Sequence, residues 1–84
     1  MSKTAIITGG NKGIGLAVAK DLISKNYKVI IGCRDTSKGK IAEEYLGNNA
    51  HFLELDLSKP ASVLQFVKQI NTHFSEIDVL YNNA

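Results

Sequence analysis

The chain has 84 residues, 44% hydrophobic and 21% charged, with a formal net charge of +2. That is an ordinary globular composition, and the small charge excludes a broad nucleic-acid or membrane-binding surface. Cys33 is the only cysteine, which excludes an intramolecular disulfide and a cysteine metal cluster and suits a reducing, cytoplasmic setting. No run is apolar for long enough to act as a signal peptide or cross a membrane.

In chain order, residues 4–8 read as a buried strand, short and β-branched, ended by Gly9. The turn Thr8-Gly9-Gly10-Asn11-Lys12-Gly13-Ile14-Gly15 follows and opens a helix. Ile14, Val18 and Leu22, with Ala17 and Ile23 one step round, predict an apolar stripe over residues 14–25. Strand, glycine turn and helix start in this order suit a nucleotide phosphate. Glycine takes positive φ at little cost, and N–H groups at a helix start offer hydrogen bonds and partial positive charge to an anion. Gly9 is expected to make the tight exit from the strand, Gly13 to let backbone approach a pyrophosphate, and Gly15 to let helix pack on strand. The spacing is G-x-x-x-G-x-G, not the commoner G-x-G-x-x-G.

Asn26-Tyr27 closes that helix, and residues 28–33 form a second strand around Val29-Ile30-Ile31. Asp35 or Thr36 can cap a second helix running through Leu46, with Gly47-Asn48-Asn49 as its stop. Gly39 lies inside this helix and is expected to weaken it by up to about 1 kcal/mol relative to alanine. A third strand is predicted over residues 51–55. Ser58 is expected to cap a third helix with Pro60 in its first turn, where the missing N–H costs little. Val63, Leu64, Phe66, Val67, Ile70 and Phe74 carry that helix's apolar surface, and residues 77–81 make the fourth strand.

The pattern β-α-β-α-β-α-β, without linker or repeat, predicts one α/β unit with a parallel sheet and right-handed crossovers. It matches the first half of a Rossmann-type sheet, strand order 3-2-1-4, so residues 1–84 read as the N-terminal part of a dinucleotide-binding domain. Two helices would cover one face and the third the other. The fourth strand would be an open edge awaiting a fifth, and open edges recruit other strands. Any ordered form is therefore expected to be a dimer, by self-association through that edge, to pack against another polypeptide, or to be a segment of a longer chain.

Four segments in register make the reading specific: Thr8 to Ala17, Cys33-Arg34-Asp35, Leu55-Asp56-Leu57, and Ile77-Asp78-Val79-Leu80-Tyr81-Asn82-Asn83-Ala84. Over its whole length the chain resembles the N-terminal portion of the short-chain dehydrogenase/reductase family, most closely its carbonyl reductases. The last segment looks like the family's Asn-Asn-Ala-Gly motif cut before its glycine. The resemblance implies hydride transfer from a nicotinamide cofactor to an aldehyde, ketone or quinone, with a tyrosine donating a proton. The family's catalytic Ser and Tyr-x-x-x-Lys lie further along such chains, so no catalytic residue is expected here.

Cofactor choice is readable near the adenine ribose. An acid at the end of the second strand would bind a ribose 2′-hydroxyl, whereas an arginine accommodates a 2′-phosphate. Cys33 stands where NAD-preferring members of the family carry that acid, and Arg34 follows with a planar fork suited to phosphate. Lys12 can add a second cation, so NADP(H) is the expected cofactor. In the bland alternative, Lys12 and Arg34 are solvated surface charges. Asp35 as the ribose acid would favour NAD, although helix capping is its other job.

By resemblance, Asp56 accepts from the adenine amino group with Leu57 beside it; the alternative is a helix-start carboxylate near Ser58. Asn82, Asn83 and Ala84 are placed beside the nicotinamide ribose, where asparagines also tie neighbouring strands. With Gly9, Asn11, Lys12, Gly13, Ile14 and Gly15 of the turn, and Arg34, these make up the expected cofactor site. Cys33 reads as a strand-end filler, not a nucleophile. His51 and His73 stand too far apart to suggest a metal site. Lys20-Asp21 and Glu43-Glu44 read as solvated helix faces, and neither Tyr45 nor Tyr81 has the Tyr-x-x-x-Lys spacing. A second functional class remains, a non-catalytic nucleotide-binding or interaction module. The coding sequence beyond Ala84 separates the two.

Overall fold

Apolar β-branched residues run without polar alternation through two segments, as a sheet covered on both faces requires. They form the middle of the sheet. The structure, a computed structural model, describes residues 3–74 and 76–82. The elements are β1 (Lys3–Thr8), α1 (Gly13–Ser24), β2 (Tyr27–Cys33), α2 (Thr36–Leu46), β3 (Ala50–Glu54), α3 (Pro60–His73) and β4 (Val79–Asn82). All pairings are parallel and the strand order is β3-β2-β1-β4. This is the predicted half-sheet.

β1 and β2 pair with Ile6 opposite Ile30 and Ile7 opposite Ile31. Because side chains alternate across a strand, the two rows feed two cores. Ile7, Val29 and Ile31 pack with Ala19 of α1 and Ala42 of α2 on one face. Ile6 and Ile30 pack with Leu55 and with Phe66 and Ile70 of α3 on the other. The helices therefore divide between the faces as the chain order implies.

β4 is fastened to β1 at both ends. The Thr4 N–H donates to Asp78 Oδ2 at 2.8 Å, the Asp78 N–H donates to the Thr4 carbonyl at 2.8 Å, and Thr8 Oγ1 donates to Asn82 Oδ1 at 2.9 Å. Regular pairing begins at Val79, two residues later than the sequence suggests. β4 lies at the sheet edge, with Leu80 67% exposed.

Several local expectations change. The α1 stripe is centred on Gly15 and Ala19, with Leu16, Val18, Leu22 and Ile23 packed around it. Ile14 is instead 68% exposed and Ala17 is exposed too. Small residues at i and i+4 allow α1 close to the strands, so the burial angle follows them and not the bulkiest side chain. On α3, Leu64 and Val67 face outward while Phe66 and Ile70 are buried. Asn26 closes α1 with a φ of 70°, a conformation asparagine tolerates.

Ser58 does not cap α3. The N-cap is Lys59, without a side-chain cap bond, and Pro60 opens the helix. Nor is Glu43 simply solvated: its carboxylate accepts from the Phe52 N–H at 2.7 Å and ties α2 to the outer edge of β3. Lys20 reaches across from α1 to donate to the Tyr45 hydroxyl at 3.2 Å, while Asp21 and Lys25 form an exposed ion pair of the weak i,i+4 kind.

Gly39 is the clearest reversal. It is buried on α2, and a Cβ there would overlap the Phe52 ring. Glycine is what lets α2 rest on β3. Overpacking costs about 1–3 kcal/mol and helix propensity returns at most about 1 kcal/mol. Gly39→Ala should therefore destabilise the protein by about 1 kcal/mol in urea melts. In a Phe52→Ala background the same substitution should become neutral or stabilising; a stabilising effect with Phe52 intact would contradict the packing account.

Candidate functional site

The carboxyl ends of β1, β2 and β3 point the same way because the strands are parallel, so their following loops share one edge. Between them lies an open groove of about 400 Å³. The turn after β1 forms one wall. Gly9 has a φ of 67° and its N–H donates to the Gly32 carbonyl at 2.7 Å, which binds the turn to β2. Gly13 has a φ of 58°, and an added Cβ there would meet nothing, so the requirement for glycine is conformational.

Lys12 is the N-cap of α1, in extended backbone and with no side-chain cap bond. The first-turn N–H groups of a helix have no intrahelical acceptor, and among the described residues no N-cap side chain bonds to them. An anion is the partner that such a start accommodates.

Cys33 and Arg34 form the second wall. Cys33 is buried, its thiol donates to the Asp35 carbonyl at 3.4 Å, and burial pushes its pKa up, so the strand end carries no charge. Arg34 is exposed. Asp35 Oδ1 accepts from the Lys38 N–H at 3.0 Å, so this carboxylate is occupied in capping α2. That is the capping job weighed against a ribose contact.

Asp56 and Leu57 close the groove from β3. Asp56 Oδ1 accepts from both the hydroxyl of Ser58, at 2.6 Å, and its N–H, at 3.0 Å. The Ser58 bonds come first among the causes that hold its pKa below the ordinary 3.8; Lys59 and Arg34 lower it further. Asp56 thus has the local role weighed for it, and it lies in the groove as well. The Asp56 N–H donates to Ser62 Oγ at 2.9 Å, anchoring the loop to α3. Leu57 is 56% exposed and gives the groove an apolar surface.

Of the expected residues, the groove gathers Gly9, Asn11, Lys12, Arg34, Asp56 and Leu57. Gly13, Ile14 and Gly15 stand just behind it at the start of α1, and Asn82 lies across β1 on β4. Asn83 and Ala84 fall outside the described residues. Sequence reasoning missed Lys38 and Ser58, which also line the groove. Lys38 could have been found: it is the third residue of α2, and side chains in a helix lean toward its N-terminus.

The short chain dehydrogenase family profile matches residues 3–84. The chain belongs to the short-chain dehydrogenase family. It is 41% identical to salutaridine reductase from Papaver somniferum over 98% of its own length and 28% of that protein's. The fold superimposes on menthone neomenthol reductase from Mentha piperita with a TM-score of 0.94 and 39% identity, covering 100% of this chain and 32% of that one. L-sorbose reductase from Gluconobacter frateurii, solved with NADPH and L-sorbose, gives a TM-score of 0.90 at 29% identity over 99% of this chain and 33% of that one. The chain thus spans about a third of the dehydrogenases and reductases it matches.

The Ser58 bonds explain the low Asp56 pKa, so removing the hydroxyl should raise it. A carboxyl whose folded pKa lies below its unfolded value contributes stability above the unfolded pKa and loses it as pH falls through the folded one. In Ser58→Ala that contribution should shrink, and its loss on acidification should be complete at a higher pH. Carbon-detected NMR titration of the Asp56 carboxyl measures the change, and an unmoved midpoint would contradict the assigned cause.

Proposed function

We propose that the groove holds the adenosine side of NADP(H), and that the chain is the cofactor-binding N-terminal part, residues 1–84, of an NADPH-dependent carbonyl reductase. One observation carries the cofactor choice. Three cations, Lys12, Arg34 and Lys38, line the groove beside a strand end whose side chain is a neutral, buried thiol. The two carboxylates lining it, Asp35 and Asp56, each accept local hydrogen bonds, Asp35 from the first turn of α2 and Asp56 from Ser58 in its own loop.

Arg34 would grip the 2′-phosphate with its fork, and Lys12 and Lys38 would add charge from the turn and from α2. The uncapped start of α1, at Gly13, Ile14 and Gly15, with Gly9 and Asn11 ahead of it, would face the pyrophosphate. Asp56 retains a second carboxylate oxygen to accept from the adenine amino group, with Leu57 against the ring. Asn82, Asn83 and Ala84 would lie toward the nicotinamide ribose. Bound NADPH supplies a hydride to the carbonyl carbon of an aldehyde, ketone or quinone. This chain's own residues bind and orient the cofactor, and in this reading the proton donor comes from later in the polypeptide.

Calorimetric titration should show NADPH and 2′-phospho-AMP binding more tightly than NADH and AMP. Arg34→Ala should remove about 1.5–3 kcal/mol of that preference, the range for a charge-assisted hydrogen bond. Arg34→Asp should reverse it. Equal affinities before mutation would defeat the assignment.

Residues 1–84 alone should not catalyse carbonyl reduction. Four positions after Tyr27 stands Ile31, four after Tyr45 stands Asn49, and residues 1–84 supply no lysine four positions after Tyr81, so none of the three tyrosines in this stretch has the lysine that would activate a proton donor. NADPH oxidation with aldehydes, ketones and quinones should stay at background for this stretch and appear for the full-length reading frame. Turnover by the pure short chain would count against the carbonyl reductase reading.

A further inference from the structure

On the other side of Lys12 and Lys38, between α1 and α2, lies a second concavity of about 420 Å³. Leu16, Ile41, Ala42 and Tyr45 wall it, and Asn11, Lys12 and Lys38 line both it and the nucleotide groove. Its volume falls within the range of about 300–1,000 Å³ common for small-molecule sites. Ile41 and Tyr45 are 67% and 61% exposed. They are not needed to seat α2, which rests on the sheet through Gly39, Ala42 and Leu46. An apolar pair at i and i+4 on the solvent side of a helix is out of place unless something covers it.

The charges around the slot say what does. Lys12 and Lys38 line the side shared with the groove, Lys20 donates to the Tyr45 hydroxyl at 3.2 Å, and among the described residues no acidic side chain lines the space. We propose that the slot binds a single-chain amphipathic anion, a fatty acyl carboxylate or alkyl phosphate, with its chain along Leu16, Ile41 and Tyr45 and its head between Lys12 and Lys38. A neutral alkane would leave the lysines unused, and a bare phosphate would leave the apolar walls in water. The head draws on the same two cations as the cofactor's 2′-phosphate, so the ligand and NADPH exclude each other. That regulatory consequence rests on the cofactor reading above; the slot itself does not.

Calorimetry on the full-length protein tests both, with dodecyl phosphate and dodecanoate as probes below their micellar concentrations, and dodecanol and inorganic phosphate as the head-only and chain-only deletions. Both anions should bind at least about tenfold more tightly than either deletion, and shortening the chain should weaken binding about fourfold per methylene. Ile41→Ser should weaken dodecyl phosphate about tenfold and leave the NADPH Kd unchanged. Saturating NADPH should raise the apparent Kd of dodecyl phosphate. Inorganic phosphate binding as tightly as dodecyl phosphate, or binding indifferent to Ile41→Ser, would overturn the slot. Ile41-dependent binding without competition from NADPH would overturn the shared-lysine control. Ile41-dependent binding to a protein that does not bind NADPH would uphold the slot and remove the cofactor reading.

Discussion

The parallel pairing of β1 with β2 is the constraint on which the rest depends. Ile6 opposite Ile30 and Ile7 opposite Ile31 put one apolar row on each face. A one-residue slip would exchange the two rows and leave each helix layer facing the wrong side chains. The same register brings Thr8 level with Gly32, and from there the Gly9 N–H reaches the Gly32 carbonyl. The turn is thereby set against the end of β2 by backbone alone. Parallel direction then does the remaining work, since all three strand ends open onto one edge.

What the edge offers chemically comes from how its charges are occupied. Both carboxylates that line the groove are held locally, Asp35 by the Lys38 N–H of α2 and Asp56 by Ser58 of its own loop. Such bonds favour the ionised form, and those from Ser58 lower the Asp56 pKa. A carboxylate spent on a helix cap is a weaker competitor for a ribose hydroxyl. Arg34, one residue before the cap, is left on the exposed side of the same loop. Capping α2 with an acid and presenting a cation to solvent are thus one arrangement of adjacent residues, Arg34 and Asp35.

The fold and most of the groove were legible because they rest on local patterns: buried apolar strands, a glycine turn, and helix stops at Asn26 and Gly47. The misjudged residues are those whose surroundings come from distant chain. Gly39 reads as a weak helix position until Phe52 of β3 is laid against it. Glu43 reads as solvated until the outward N–H of Phe52 meets it. Ile14 outweighs Gly15 on any hydrophobicity pattern, yet close approach to the strands favours the smaller residue. Ser58 was a fair cap candidate, but Asp56 two residues earlier offers its hydroxyl a charged acceptor, and a charge-assisted bond outcompetes a neutral one. Lys38 reads as an ordinary helix-surface cation, because its reach to the groove depends on the backward lean of side chains in a helix.

Asn82 has a scaffold role that leaves part of its amide uncommitted. Its Oδ1 accepts from the Thr8 hydroxyl at 2.9 Å, which ties the end of β4 to the end of β1 just where the glycine turn departs. With the oxygen turned toward Thr8, the NH₂ of Asn82 is left as a donor. The two roles expected of this asparagine need not compete, because the amide keeps donors to spare once its oxygen holds Thr8.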